Sequence, residues 1–136
     1  MGSTESLATT IAVALLQIGQ TEDAALVIGN DERGTPSRIA IATHGGLAIA
    51  DVDWESKSNG RLPAPVLELS YTPWREVRTI VGVSVPAMGD PSVTLTVNTL
   101  ATGDIVTNSP QWHYGRQPFD DMLSILLDRA AGVSPG

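Results

Sequence analysis

From Ile39 to Val97 the large apolar residues fall on alternate positions, and a period of two marks strands that bury one face. The segments are Ile39 and Ile41, Leu47 and Ile49, Leu67 to Tyr71, Val77 to Val85, and Val93 to Val97. Turn formers stand between them: Gly45-Gly46, Ser58-Asn59-Gly60, Gly89-Asp90-Pro91 and Thr102-Gly103-Asp104. Strands joined by connections of this kind are antiparallel, here with a single buried face. A short apolar run over 24–30 adds a strand ahead of the turn-rich stretch Asn30 to Pro36, and another strand begins near Ile105.

The hairpin around Gly45-Gly46 carries a sharper expectation. Burying Ile39 and Ile41 together with Leu47 and Ile49 sets Ile41 opposite Ile49. That leaves a three-residue loop, His44-Gly45-Gly46, with a glycine at positive φ. The same register pairs Ala42 with Ala48 and Ala40 with Ala50. Ala40, Ala42, Ala48 and Ala50 then make a flat, mildly apolar patch on the opposite face, suited to a helix or to a second subunit.

Two helices frame the strands. Ser3 or Thr4 caps the first, Glu5 lies in its first turn, and Leu7, Ile11, Leu15 and Ile18 recur at helical spacing up to Gly19, which predicts a helix over 4–19. The last helix, over 118–131, carries Phe119, Met122, Leu123, Leu126, Leu127 and Ala130 as one apolar stripe. Pro118 opens it, Asp120 and Asp121 occupy its first turn, Arg129 its last, and Gly132 stops it. The chain of 136 residues reads as one domain, 1–136, with a strand-rich body over 24–108 and a loop over 109–117; the tails 1–3 and 133–136 read as dispensable.

That order is α+β: an N-terminal helix, about seven antiparallel strands in a sheet or partly open barrel, and a C-terminal amphipathic capping helix. It resembles the pleckstrin-homology-like superfold, in particular bacterial members with an extra N-terminal helix. The resemblance is carried by the hairpin from Arg38 to Asp51, the step Tyr71-Thr72-Pro73-Trp74-Arg75-Glu76-Val77 with its Pro-Trp-x-x-Val pattern, and the closing helix from Phe119 to Ala131. It spans roughly residues 24 to 131. Membership implies two packed sheets capped at one end by the final helix, and no single activity, since members bind phosphoinositides, peptides or other proteins. Lipid-binding members present Lys and Arg in the loop joining the first two strands. Here that loop is Asp31-Glu32-Arg33-Gly34-Thr35, with two acids against one base.

Charge points the same way. The net charge is −7, so neither nucleic acid nor an anionic membrane is an expected partner. The apolar run Leu7 to Ile18 is too short to cross a bilayer, and Glu5 stands where a secretory leader needs a base, so the cytoplasm is the expected compartment. Without cysteine there is no thiol nucleophile and no cysteine-ligated metal.

The residues able to carry chemistry are few. His44 and His113 have no metal-ligand spacing and read as loop residues. Asp51 and Asp53 project from one strand face, with Glu55 continuing the row; a hard cation is one reading, an exposed acidic strand end the more frequent one. Gly82, alone in a strand, marks a bulge or a close backbone approach. Trp112, Tyr114 and Arg116 share a side if their segment is extended, and these residue types are enriched in binding hot spots; the alternative is a loop stapled to the core by Trp112. The expectation is therefore a non-catalytic protein-interaction module with no cofactor or metal, acting in a homo-oligomer or a larger complex. Its candidate patches are Trp112, Tyr114 and Arg116, and the four alanines. The alternatives are a subunit of a repeating assembly such as a phage particle or secretion machine, and a metal-dependent binder or enzyme using Asp51, Asp53 and a histidine.

Overall fold

The computed structural model describes residues 2–32, 34–54, 65–109, 113–130 and 132–135. Two helices, α1 (Gly2–Leu16) and α2 (His113–Arg129), bracket seven antiparallel strands: β1 (Glu22–Asn30), β2 (Pro36–Thr43), β3 (Gly46–Trp54), β4 (Pro65–Pro73), β5 (Arg78–Ser84), β6 (Ser92–Thr99) and β7 (Gly103–Asn108). The strands form two sheets, β1-β2-β3-β4 and β7-β6-β5, and no strand pairs across them among the described residues, so they do not close into a barrel. The fold is α+β. One element was unforeseen: residues written off as a dispensable tail form a short strand, β8 (Gly132–Pro135), added parallel to β5 at the edge of the second sheet.

α1 buries Leu7, Ile11 and Leu15, one side chain per turn, against the outer face of the first sheet. It starts two residues earlier than expected, so Ser3 and Thr4 lie inside it rather than capping it. It ends with Gly19 at φ 68°, the Gly19 N–H donating to Leu16 O (3.1 Å) and the Gln20 N–H to Leu15 O (3.0 Å), a paired closure that needs a left-handed residue. Ile18 falls in this closure and is 41% exposed, so it is not part of the buried stripe.

The β2–β3 register departs from expectation. Ala40 pairs with Ile49 and Ile41 with Ala48, which puts Ile41 and Ile49 on opposite faces. The alternation in Ile-Ala-Ile-Ala and Leu-Ala-Ile-Ala is large against small, not apolar against polar, because both faces are buried. Ala40, Ala42, Leu47 and Ile49 join the core between the sheets, whereas Ile39, Ile41, Ala48 and Ala50 lie beneath α1. On each face a large residue on one strand meets an alanine on the other, so the two layers fill evenly. The loop is correspondingly shorter, and neither Gly45 nor Gly46 has positive φ. Thr43 closes it, its Oγ1 donating to Gly46 O (2.8 Å) and accepting the Gly46 N–H (3.1 Å).

This hairpin tip is where the two halves of the molecule are tied. The Trp74 indole N–H donates to Thr43 O (2.9 Å), and Arg129 at the end of α2 donates to the same oxygen (2.9 Å) and to Asp23 (2.7 Å). Trp74 belongs to a single 3-10 turn, Trp74–Glu76, which carries the chain from β4 into the second sheet, with Val77 fully buried behind it. The Pro-Trp-x-x-Val step is thus the joint between sheets.

α2 begins at residue 113 instead of 118, so Pro118 lies inside it and leaves the Tyr114 carbonyl without its helical donor. Asp120 and Asp121 are consequently not first-turn charges: they accept from Arg116 (2.8 Å) and Gln117 (2.7 Å) one turn back. Phe119, Met122 and Leu126 are buried between the sheets, and Leu127 at the stripe's margin is half exposed.

Thr79 on β5 is 1% exposed and its hydroxyl has no partner among the described residues. A hydroxyl buried in that way costs roughly 1–3 kcal/mol. Thr79→Val, which keeps the shape, is expected to raise stability by about 1 kcal/mol, read as a higher urea midpoint at unchanged slope. An unchanged or lower midpoint would mean that the hydroxyl is satisfied.

Candidate functional site

The four-alanine patch does not exist as a surface. Ala40, Ala42, Ala48 and Ala50 are 7%, 0%, 0% and 0% exposed and are divided between two faces of the first sheet. The physical cause is the register: each alanine provides the space that a facing isoleucine or leucine fills.

The second candidate patch also changes. Trp112 lies outside the described residues, as do Glu55 and the Ser58-Asn59-Gly60 turn. Tyr114 and Arg116 belong to α2, not to an extended segment, so the extended arrangement expected of them does not hold. Arg116 is engaged locally, bonded to Asp120 and lying 5.6 Å from the centre of the Phe119 ring. This contact keeps the charge at the surface while the ring stays buried.

The groups considered for metal or acid–base chemistry are dispersed. His44 sits in the β2–β3 turn and His113 opens α2. Asp51 lies near the far end of β3 from His44; the strand from Gly46 to Asp51 alone spans about 17 Å. Its carboxylate is held by Arg38 across the hairpin at 2.7 Å. Among the described residues no three His, Cys, Asp or Glu side chains come close enough to share an ion. Between β1, β6, β7 and α2 there is an apolar void of about 10 Å³, lined by residues such as Leu26, Ile49, Val97 and Met122. That is about the space of one water, without polar groups to hold it.

Contact surfaces missed from sequence are more prominent. The outward face of α1 exposes Val13 (52%) and Leu16 (64%), and no charged residue occurs between Ser6 and Thr21. On the second sheet, Ile80 and Val106 are about half exposed on the face turned away from the core. The signal available in advance was the absence of charge from α1 beyond Glu5, where a helix covering one face normally carries a charged stripe on the other.

Comparison of the chain with protein-family models, with curated proteins and with solved structures finds no match.

Proposed function

We propose that this chain is a non-catalytic protein–protein interaction module of the PH-like type, acting in a homo-oligomer or a larger complex. The observation that carries the reading is the exposure of large apolar side chains on surfaces without net charge, in a protein whose net charge is −7. Such surfaces mark contact sites, since solvated faces of an acidic protein carry its acids. The PH-like part is supported by element order: a four-stranded sheet, a crossing through Trp74, a second sheet and a closing helix.

Partners on this reading are proteins, not nucleic acid, anionic membrane or phosphoinositide. In the β1–β2 loop the Asp31 carboxylate accepts the Thr35 N–H (3.0 Å), which folds the loop around an acid where a headgroup site presents bases. Among the described residues no helix is long and apolar enough to cross a membrane, and the cytoplasm is the proposed place of action.

Light scattering on the purified chain, alone and after recovery from its source cell with whatever protein it retains, tests the reading. The expected result is a small oligomer or a defined complex with a second protein. A particle of many copies would favour the repeating-assembly reading, and a chain that is monomeric throughout and retains nothing would overturn both.

A further inference from the structure

We propose that the outer face of the β7-β6-β5 sheet is a self-complementary interface, on which a second copy of this chain docks face to face about a twofold axis running along β6. The inference rests on the interaction reading above and names its surface and its partner.

The register places the outward residues in rows across the three strands. One row is Arg78, Asn98 and Asp104; the next is Ile80, Thr96 and Val106; the third is Gly82, Thr94 and Asn108. Ile80 is 49% and Val106 57% exposed. Two cross-strand bonds keep the β6–β7 side of the face ordered: Asn98 Nδ2 to Asp104 Oδ1 (2.7 Å) and Thr94 Oγ1 to Asn108 Oδ1 (2.8 Å). Arg78 makes no ion pair among the described residues.

A twofold axis along β6 exchanges β5 with β7 and leaves position along the strands unchanged. Arg78 of each copy then faces Asp104 of the other, Ile80 faces Val106, and Thr96 meets Thr96 on the axis. Charge and apolar surface match in one operation. An axis across the strands instead sets Ile80 against Ile80 and leaves both charges unmatched, so the pattern selects the axis along β6. The face carries one base and one acid, and can approach its own copy without the repulsion that a net charge of −7 imposes elsewhere.

Gly82 supplies an independent observation. It has no positive φ, and a Cβ built on it would meet only Thr94, at 3.9 Å. Nothing among the described residues requires glycine there. In the docked pair it lies opposite Asn108 of the other copy, where a missing side chain allows close approach.

Strands β5 to β7, at about 4.8 Å spacing and about seven residues long, give a footprint of roughly 15 by 20 Å, smaller than that of a standard specific interface. The dimer is therefore weak and reversible, populated only at high protein concentration.

Sedimentation velocity over a concentration series tests this on the full chain, its Arg78→Asp and Asp104→Arg variants, and the double variant. Each single reversal creates two like-charged contacts across the axis and is expected to weaken dimerisation at least about tenfold; the double variant restores it to within a few-fold of the parent. Both residues are exposed, and a thermal melt of each variant checks that it folds. Should a reversal unfold the chain, Thr96→Lys, which places like charges on the axis, gives the same readout through loss of the dimer. A parent that stays monomeric, reversals that dimerise like the parent, or a double variant as weak as the singles would each overturn the interface. Self-association that ignores all these changes refutes this face and leaves the interaction reading standing.

Discussion

Leu126→Asp is expected to yield no folded protein. Leu126 is 1% exposed, between the sheets, beside Met122 and within the cluster that also holds Phe119 and Leu95. The described members of that cluster are all apolar, and an unpaired charge in such a place costs several kcal/mol, comparable with a whole stability of about 5–15 kcal/mol. The measurement is soluble yield followed by a circular-dichroism melt. A soluble variant with a cooperative transition would show that α2 is a separable docking element and not a wall of the core. Leu123→Asp, at the partly buried margin of the same stripe, is expected to be milder.

Gly46→Ala is expected to be the most damaging of the small substitutions, lowering stability by roughly 2–3 kcal/mol. A Cβ on Gly46 would fall inside contact distance of the Thr72 carbonyl oxygen and lie 2.9 Å from Tyr71 Cζ and 3.0 Å from Pro73 Cα. The first and last of these are backbone atoms, held by the pairing of β3 with β4, so the strands would have to part. Gly45→Ala is the control. There the nearest atoms are the Tyr71 hydroxyl at 2.6 Å and the end of the Gln20 side chain at 3.2 Å, side-chain ends and not paired backbone. Its expected cost is below about 1 kcal/mol, and urea melts giving the two variants equal losses would contradict the close approach.

The contrast between these glycines shows what a single sequence makes legible. The turn at Gly45-Gly46 was readable, but the reason for Gly46 lies in a neighbouring strand more than twenty residues away, and no local signal carries that. The two helices and the five strands between Ile39 and Val97 followed from periodicity, because burial on one face imprints a period. The β2–β3 register did not, because both faces are buried and alanine is as admissible as isoleucine on either. A one-residue change in pairing exchanged the β2 side chains between faces relative to those of β3 and divided the supposed patch between two buried layers. The start of α2 was misjudged because Pro118 resembles a first-turn proline and the turns before it lack an apolar stripe. β8 was missed since Gly132 to Pro135 has neither length nor β-branched density, and its pairing with β5 is non-local. The contact surfaces were not legible, because which of Ile80 or Val81, and of Ile105 or Val106, faces outward depends on the second sheet's pairing.

The central claim is that the chain works by contact through a face its fold leaves uncovered. Amide chemical shifts recorded from dilute to concentrated protein, over roughly a hundredfold range, test it at residue level. The expected result is a saturable, concentration-dependent shift confined to the second sheet, strongest at Ile80, Thr96 and Val106 and absent from the buried Ala40 and Ala48. Shifts that stay constant across the range, or that concentrate on α2 instead, would contradict it.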